Sequence, residues 1–353
     1  MPTLFEDLQL RDEPVLPGLN AQGDPNLQDI YTSNLPQVHD VIRRMRAMSD
    51  SYPGDRVLIG ETYLPNTAAL NEWYGGAKHD ELQLPMDMLV GFHGVHDKLD
   101  APRFRKLIGE AQTQLNGSQP LFVFDNHDNV RSWERYGVDS HDPKDGVHDQ
   151  QIARVLATIL LTSNATSLMW EGEELGMVTT TPTRKEDVKD PIGITGWPNE
   201  KGRDGERTPM QWDTTQNAGF STAVKTWLPV PPNYITINVA TEQQDPGSLL
   251  NWHKQLIAMR RTNLALHSGK MVMLDESNPN VFSYLRVGPA GQPSVVVALN
   301  CTAESQTITL DPGTAGVSGK SIKTLLASDP SLAQATTLTI TLPPYASWVA
   351  SIK

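Results

Sequence analysis

One cysteine, Cys301, stands among 353 residues, so no internal disulfide can form, and a reducing compartment suits the chain. Basic residues are scarce beside acidic ones. The 29 Lys and Arg against 41 Asp and Glu give a formal net charge of −12, which repels phosphates and argues against a nucleic-acid partner. Long apolar runs are missing too; stretches such as Leu156 to Leu161 are far too short to span a bilayer. The start, MPTLFEDLQLRDEPVLPGLN, is not a signal peptide, because Glu6, Asp7, Arg11, Asp12 and Glu13 interrupt any apolar core. Leu4, Phe5, Leu8 and Leu10 are instead spaced to bury against something, as in a domain entered in mid-stride. Internal repeats and low-complexity tracts are absent.

What is present fits a soluble globular protein: 38% hydrophobic and 20% charged residues. The length allows one large domain and a small one. The 26 Gly and 26 Pro call for many loops and turns rather than a helical bundle. Helical spacing predicts four helices. PQVHDVIRRMRAMSD aligns Val38, Val41, Ile42, Met45 and Met48, and APRFRKLIGEAQTQL aligns Phe104, Leu107, Ile108 and Leu115 behind a start signal at Asp100 and Pro102. Residues 146–163 align Ile152, Val155, Leu156, Ile159 and Leu160, and residues 247–263 form the fourth.

Between the helices lie continuously apolar runs, the pattern of strands buried on both faces of a parallel sheet: RVLIGET, LQLPMDMLV, LFVFDNHD and TSLMWEGEE. Three end in carboxylates, namely Glu61, Asp125 with Asp128, and Glu171 with Glu173 and Glu174. In a (β/α)8 barrel, catalytic groups sit where strands end and βα loops begin. Only about four such units are visible, whereas a closed barrel needs eight strands. From residue 269 to 353 the texture changes to short segments such as VFSYLRV, SVVVALN, QTITL, TLTITL and YASWVAS between turns, which predicts a small antiparallel β domain. The alternation read in VVVALNC makes Cys301 a buried strand residue rather than a catalytic thiol.

Two carboxyl groups facing one cleft suit glycoside hydrolysis, one protonating the leaving oxygen while others stabilise a cationic sugar. A neighbouring carboxylate helps hold such an acid protonated. Glu61 and Asp128 have that placement, although acids are common at strand ends and position alone also allows solvated ends. His127 could donate to a sugar hydroxyl or be structural. The cluster Asp139, His141, Asp142, Asp145, His148 and Asp149 matches no ligand spacing and reads as a solvated loop. EGEE at 171–174 reads as a solvated charge run at a strand end.

VLIGETYL resembles the general-acid segment of the α-amylase family of glycoside hydrolases, and LFVFDNHDNVRSW resembles its Asn-His-Asp segment. SLMWEGEELGM, DPIG, GRDGERTPMQWD, WLPVPPNY and LLNWHKQLIAMRRTNLAL continue the resemblance in order, toward the α-glucosidase and oligo-1,6-glucosidase branch. The resemblance implies that Glu61 is the general acid/base, that Asp128 stabilises the transition state, and that His127 binds a glucose hydroxyl. It also implies that Arg203 and Arg207 line the entrance on the leaving-group side. The fold it implies is α/β: residues 1–268 form part of a TIM barrel, about strands five to eight, and residues 269–353 form an antiparallel all-β domain. The implied partner is a small α-glucoside. No cofactor is implied, and any calcium site would lie in an absent amino-terminal half. A cytoplasmic location is expected.

The family nucleophile lies in a Gly-Phe-Arg-x-Asp segment at the end of strand four, and no such segment occurs here. Met1 is expected to fall a residue or two beyond it, so that the chain resembles the second half of such an enzyme. Retaining hydrolysis needs a nucleophile opposite the acid. A chain without one, with an open sheet edge, is expected to be inactive and poorly soluble alone. Three other readings stand beside hydrolysis: a trehalose synthase or sucrose-type isomerase, a non-catalytic relative such as a transporter ancillary subunit, and a plain sugar-binding module.

Overall fold

The apolar runs of the first 170 residues pair into a parallel sheet. In this computed structural model, which describes residues 2–19, 25–92, 98–137, 149–319 and 321–353, an exposed antiparallel hairpin of β1 (Val15–Leu19) and β2 (Pro25–Leu27) comes first. Strands β3 (Ile59–Gly60), β4 (Leu84–Asp87), β5 (Leu121–Val123) and β6 (Thr166–Leu168) then lie side by side in chain order, all parallel. Among the described residues β3 and β6 are the two edges of this sheet.

Helices supply the crossovers that parallel pairing requires. Thr67–Trp73 joins β3 to β4, Ala101–Gln114 joins β4 to β5, and Asp149–Thr162 lies between β5 and β6. Their starts follow from sequence. Asp100 accepts the Arg103 amide at 2.9 Å, Asn66 accepts the Ala69 amide at 2.9 Å, and Ser248 caps Leu249–Thr262 through the Asn251 amide at 3.2 Å. In Asp149–Thr162 the residues expected to face inward, Ile152, Val155, Leu156, Ile159 and Leu160, are all buried. The expected start at 146–148 and the cluster residues Asp139, His141, Asp142, Asp145 and His148 lie outside the described residues.

Two runs depart from the sequence reading. LQLPMDMLV is not one strand: β4 stops at Asp87, whose side chain accepts the Leu89 amide at 3.0 Å and starts a helical turn, Met88–Gly91. That turn presses so closely on β5 that a Cβ at Gly91 would sit 1.9 Å from the Val123 carbonyl oxygen. In the helix Pro36–Asp50, Val38 and Ile42 are buried while Met45 and Met48 are exposed.

After β6 and a long loop region, β7 (Lys270–Leu274), β8 (Val281–Val287), β9 (Ser294–Asn300), β10 (Gln306–Thr309), β11 (Ile322–Ala327), β12 (Thr339–Leu342) and β13 (Ser347–Ile352) follow. They form a five-stranded antiparallel sheet, in the order β11-β13-β9-β8-β7, and a β10–β12 pair. The alternation read in β9 is only one of side. All seven of its residues are buried, because Val295, Val297 and Leu299 pack into the helices of the first sheet while Val296 and Ala298 pack under β10 and β12. Cys301 lies one residue past β9, 5% exposed, and burial pushes its thiol up to about 12. Arg286, on β8 and 1% exposed, anchors the layers. It donates to the carbonyls of Thr162 at 2.6 Å, Ser163 at 2.5 Å and Gly269 at 3.0 Å, which satisfies the carboxyl end of Asp149–Thr162. No helix among the described residues is long and apolar enough to cross a membrane.

Candidate active site

Glu61, directly after β3, is followed by two residues that fix its loop. The Thr62 hydroxyl donates to the Met86 carbonyl on β4 at 2.8 Å. The Tyr63 hydroxyl oxygen accepts from the side-chain amides of Asn126 and Asn129, both at 2.7 Å. Asn126 in turn accepts the backbone N–H groups of Asp128 and Asn129 at 3.0 Å, an Asx turn that holds the chain beyond β5 in a tight bend. The loops after β3 and β5 are thereby clamped together, and burial, ahead of the nearby carboxylates, raises the Tyr63 phenol.

The clamp brings Glu61, His127 and Asp128 so close that one ligand atom from each lies within 4.8 Å of the other two. His127 Nε2 is 3.5 Å from Asp128 Oδ1, and its ring centroid is 5.6 Å from that of Trp170 in the stretch after β6. The loop at 202–212 completes the group. Arg203 Nη1 donates to Asp128 Oδ1 at 2.9 Å, and Arg207 Nη2 donates to the same oxygen at 2.6 Å. Arg207 Nε also donates to the His127 carbonyl at 2.8 Å. Both arginines, expected on the leaving-group side, are bonded to Asp128 itself.

Two guanidiniums on one carboxylate oxygen fix Asp128 in place. Among the described residues no hydrogen bond reaches Asp128 Oδ2, which leaves it for hydroxyls of a ligand. Glu61, His127 and Asp128 have ligand types that a divalent cation accepts, but the two cations already on Asp128 oppose a third charge of the same sign. Hydroxyl recognition beside a fixed carboxylate is the chemistry the arrangement favours.

Behind this front lies a layer the sequence reading did not find. Asp190, in DPIG, grips Arg203 through Nε at 2.7 Å and Nη2 at 3.2 Å. The bond to Arg203, ahead of the opposing effect of burial, holds its carboxyl far below the usual range. Arg131, fully buried, joins three loops: its amide donates to Thr179 Oγ1 at 3.0 Å, Nη1 to the Glu171 carbonyl at 2.5 Å, and Nη2 to the Glu206 carbonyl at 3.3 Å. Glu206 adjoins Arg207, so Arg131 helps set the arginine that holds Asp128. Its place in NHDNVR, three residues past Asp128, was the available signal.

The EGEE run is solvated only in part. Glu173 is 7% exposed rather than solvated, accepts the Trp170 amide at 3.1 Å, and has its carboxyl raised well above the ordinary range by burial and then by Asp125. Only tertiary packing sets this. Asp125 itself is fully buried, bonded to Ser132 through its amide and, at 3.1 Å, its hydroxyl. Burial also raises Asp125 against the pull of Arg131 and Arg135.

Asp87, the carboxylate in which β4 ends, is 1% exposed, and burial raises it to about 7. A raised acid holds its proton more tightly folded than unfolded, so its contribution to stability falls as pH rises from about 4 to 7. An Asp87→Asn variant keeps the oxygen that caps Leu89. The melting temperature of the wild type minus that of the variant should therefore decline steadily between pH 4 and 7.5. A flat difference in a calorimetric pH series would show that Asp87 is ionised throughout.

The α-amylase catalytic domain matches residues 7–269. The chain belongs to the α-amylase family. Within it, Maltase 1 of Drosophila virilis is 32% identical over 320 residues, covering 86% of this chain and 47% of that protein. The probable α-glucosidase of Rhizobium meliloti is 31% identical, covering 86% and 54%. The solved trehalulose synthase of Pseudomonas mesoacidophila matches with a TM-score of 0.73 at 28% identity, over 90% of this chain and 59% of that one. This α-amylase family chain thus spans about half the length of the curated relatives it matches.

Proposed function

We propose that this chain carries the acid/base and charge-stabilising side of a retaining α-glucosidase site that acts on short α-glucosides. In this reading Glu61 protonates the departing oxygen and later activates water, Asp128 stabilises the oxocarbenium-like sugar through its hydroxyls, and His127 binds a hydroxyl of the same glucose. Arg203 and Arg207 hold Asp128 in position and border the leaving group. The observation that supports it most is convergence: Glu61, His127 and Asp128 come together from loops after two strands of one parallel sheet.

The same reading makes β3 to β6 strands five to eight of a (β/α)8 barrel within residues 1–268, with residues 269–353 as a β domain beside it. Exposed Ile59 on edge strand β3 and exposed Met45 and Met48 on the preceding helix suit a face that further βα units would cover. The nucleophile would come from those units. The site needs no cofactor, and the single buried thiol suits a cytoplasmic setting.

A glucose-shaped cation tests the reading without turnover. 1-Deoxynojirimycin should bind the chain by calorimetry, and Asp128→Asn should weaken it by about 1.5–3 kcal/mol, the worth of a hydrogen bond to a charged group. Equal binding by wild type and variant would remove Asp128 from the sugar site. Glucosyl isomerisation is the second reading, favoured by the likeness to trehalulose synthase. In an assembly with a nucleophile, the products from sucrose decide between them: free glucose and fructose, or a rearranged disaccharide.

A further inference from the structure

We propose that the leaving-group side of this site, read as above, continues into two compartments that share Trp227 and take a phosphorylated sugar. The first, about 220 Å³, is bordered by Glu171, Arg207, Thr208, Phe220 and Trp227. Arg207 also donates to Asp128, which links this compartment to the charge-stabilising carboxylate. The second, about 240 Å³, is bordered by Trp227 together with Thr180, Thr183, Asp187, Lys189 and Lys225.

Two observations assign the ligand. Trp227 is 75% exposed and borders both sugar-sized hollows, and an exposed indole there suits the apolar face of a pyranose. The charge of the outer compartment also runs against that of the chain. Lys189 and Lys225 face one carboxylate, Asp187, which already binds Arg184 at 2.8 Å, in a protein of net charge −12. Lys225 Nζ is 3.7 Å from Asp187, Lys189 Nζ stands 5.4 Å from the Trp227 ring centroid, and Lys189 forms no ion pair among the described residues. An indole with an unpaired ammonium at its rim suits a sugar ring ending in a phosphate dianion.

Calorimetry on the full chain with glucose 6-phosphate, glucose, glucuronate and inorganic phosphate tests this at low ionic strength. Glucose 6-phosphate should bind about tenfold more tightly than glucose, an advantage that salt removes. The double variant Lys189→Gln/Lys225→Gln should erase that advantage while leaving glucose binding unchanged, and Trp227→Ala should weaken both sugars. Equal affinity for glucose and glucose 6-phosphate, or an advantage that survives the lysine substitutions, overturns the proposal. So does inorganic phosphate binding as tightly as the sugar phosphate, which marks a bare anion site. Glucuronate matching glucose 6-phosphate reassigns the anion to a carboxylate and overturns the phosphate assignment. 1-Deoxynojirimycin on the same samples separates the two claims. Iminosugar binding without sugar-phosphate binding sinks the outer site alone. Lysine-dependent sugar-phosphate binding without iminosugar binding sinks the glucosyl-site reading and leaves the outer site standing.

Discussion

With α-glucosyl fluoride as substrate, the purified chain should release fluoride only when azide is added, and the rate should saturate with azide. The reasoning is geometric. If Glu61 and Asp128 flank the sugar on their side and no motif of this chain supplies the opposing carboxylate, that opposite face is open to a small anion. The carbon–fluorine bond breaks with its electron pair leaving on fluoride, and azide forms the new bond to the anomeric carbon from the other side. Asp128→Asn should cut the azide-dependent rate by about 10²–10³, the usual cost of removing a fixed group that stabilises transition-state charge. Glu61→Gln should change it little, because fluoride departs with little help from an acid. With maltose, whose leaving oxygen must be protonated, Glu61→Gln should remove whatever azide restores. The two substitutions therefore report two different roles.

Arg131→Met should be the most damaging single change to stability in the site region. The guanidinium is fully buried, satisfies the carbonyls of Glu171 and Glu206, and offsets Asp125 and Glu173. Removing one partner from a buried ionic network costs about 3–5 kcal/mol because the remaining charges stay desolvated. The loss should be full near pH 8 and smaller near pH 5. Asp125 and Glu173 have raised carboxyls, and once protonated they no longer need the cation. Urea unfolding at the two pH values checks this. A loss below about 1 kcal/mol at both, the level of a surface pair, would mean that Arg131 is not the hub of the loops. Arg131→Lys restores the charge but not the planar two-carbonyl geometry, and should fall between wild type and Met.

The sequence disclosed the front of the site and concealed its support. Glu61 and Asp128 were legible because each follows an apolar run at the end where a parallel strand opens into a loop, and their neighbours fit a family pattern. Asp87 ends β4 in the same way but was read through, since MLV continues the apolar run even though it is a helical turn. Glu173 was read as solvated because a charge run looks the same in water or under a loop; only the packing of Trp170 and Asp125 around it decides. Met45 and Met48 were read as core from helical spacing, yet they are exposed, because a stripe records a need for cover rather than its presence. The antiparallel strands from Lys270 onward were legible from their turns. That β9 is covered on both sides was not, since the layer beneath it comes from helices more than a hundred residues earlier.

The central claim is that Glu61 and Asp128 serve one face of a bound glucosyl unit whose other face this chain leaves open. The anomeric configuration of the azide product, read by proton NMR, bears on it most directly. β-Glucosyl azide from the wild-type chain, and none from Asp128→Asn, is the expected result. Glucose released at the same rate without azide contradicts it, as does α-glucosyl azide.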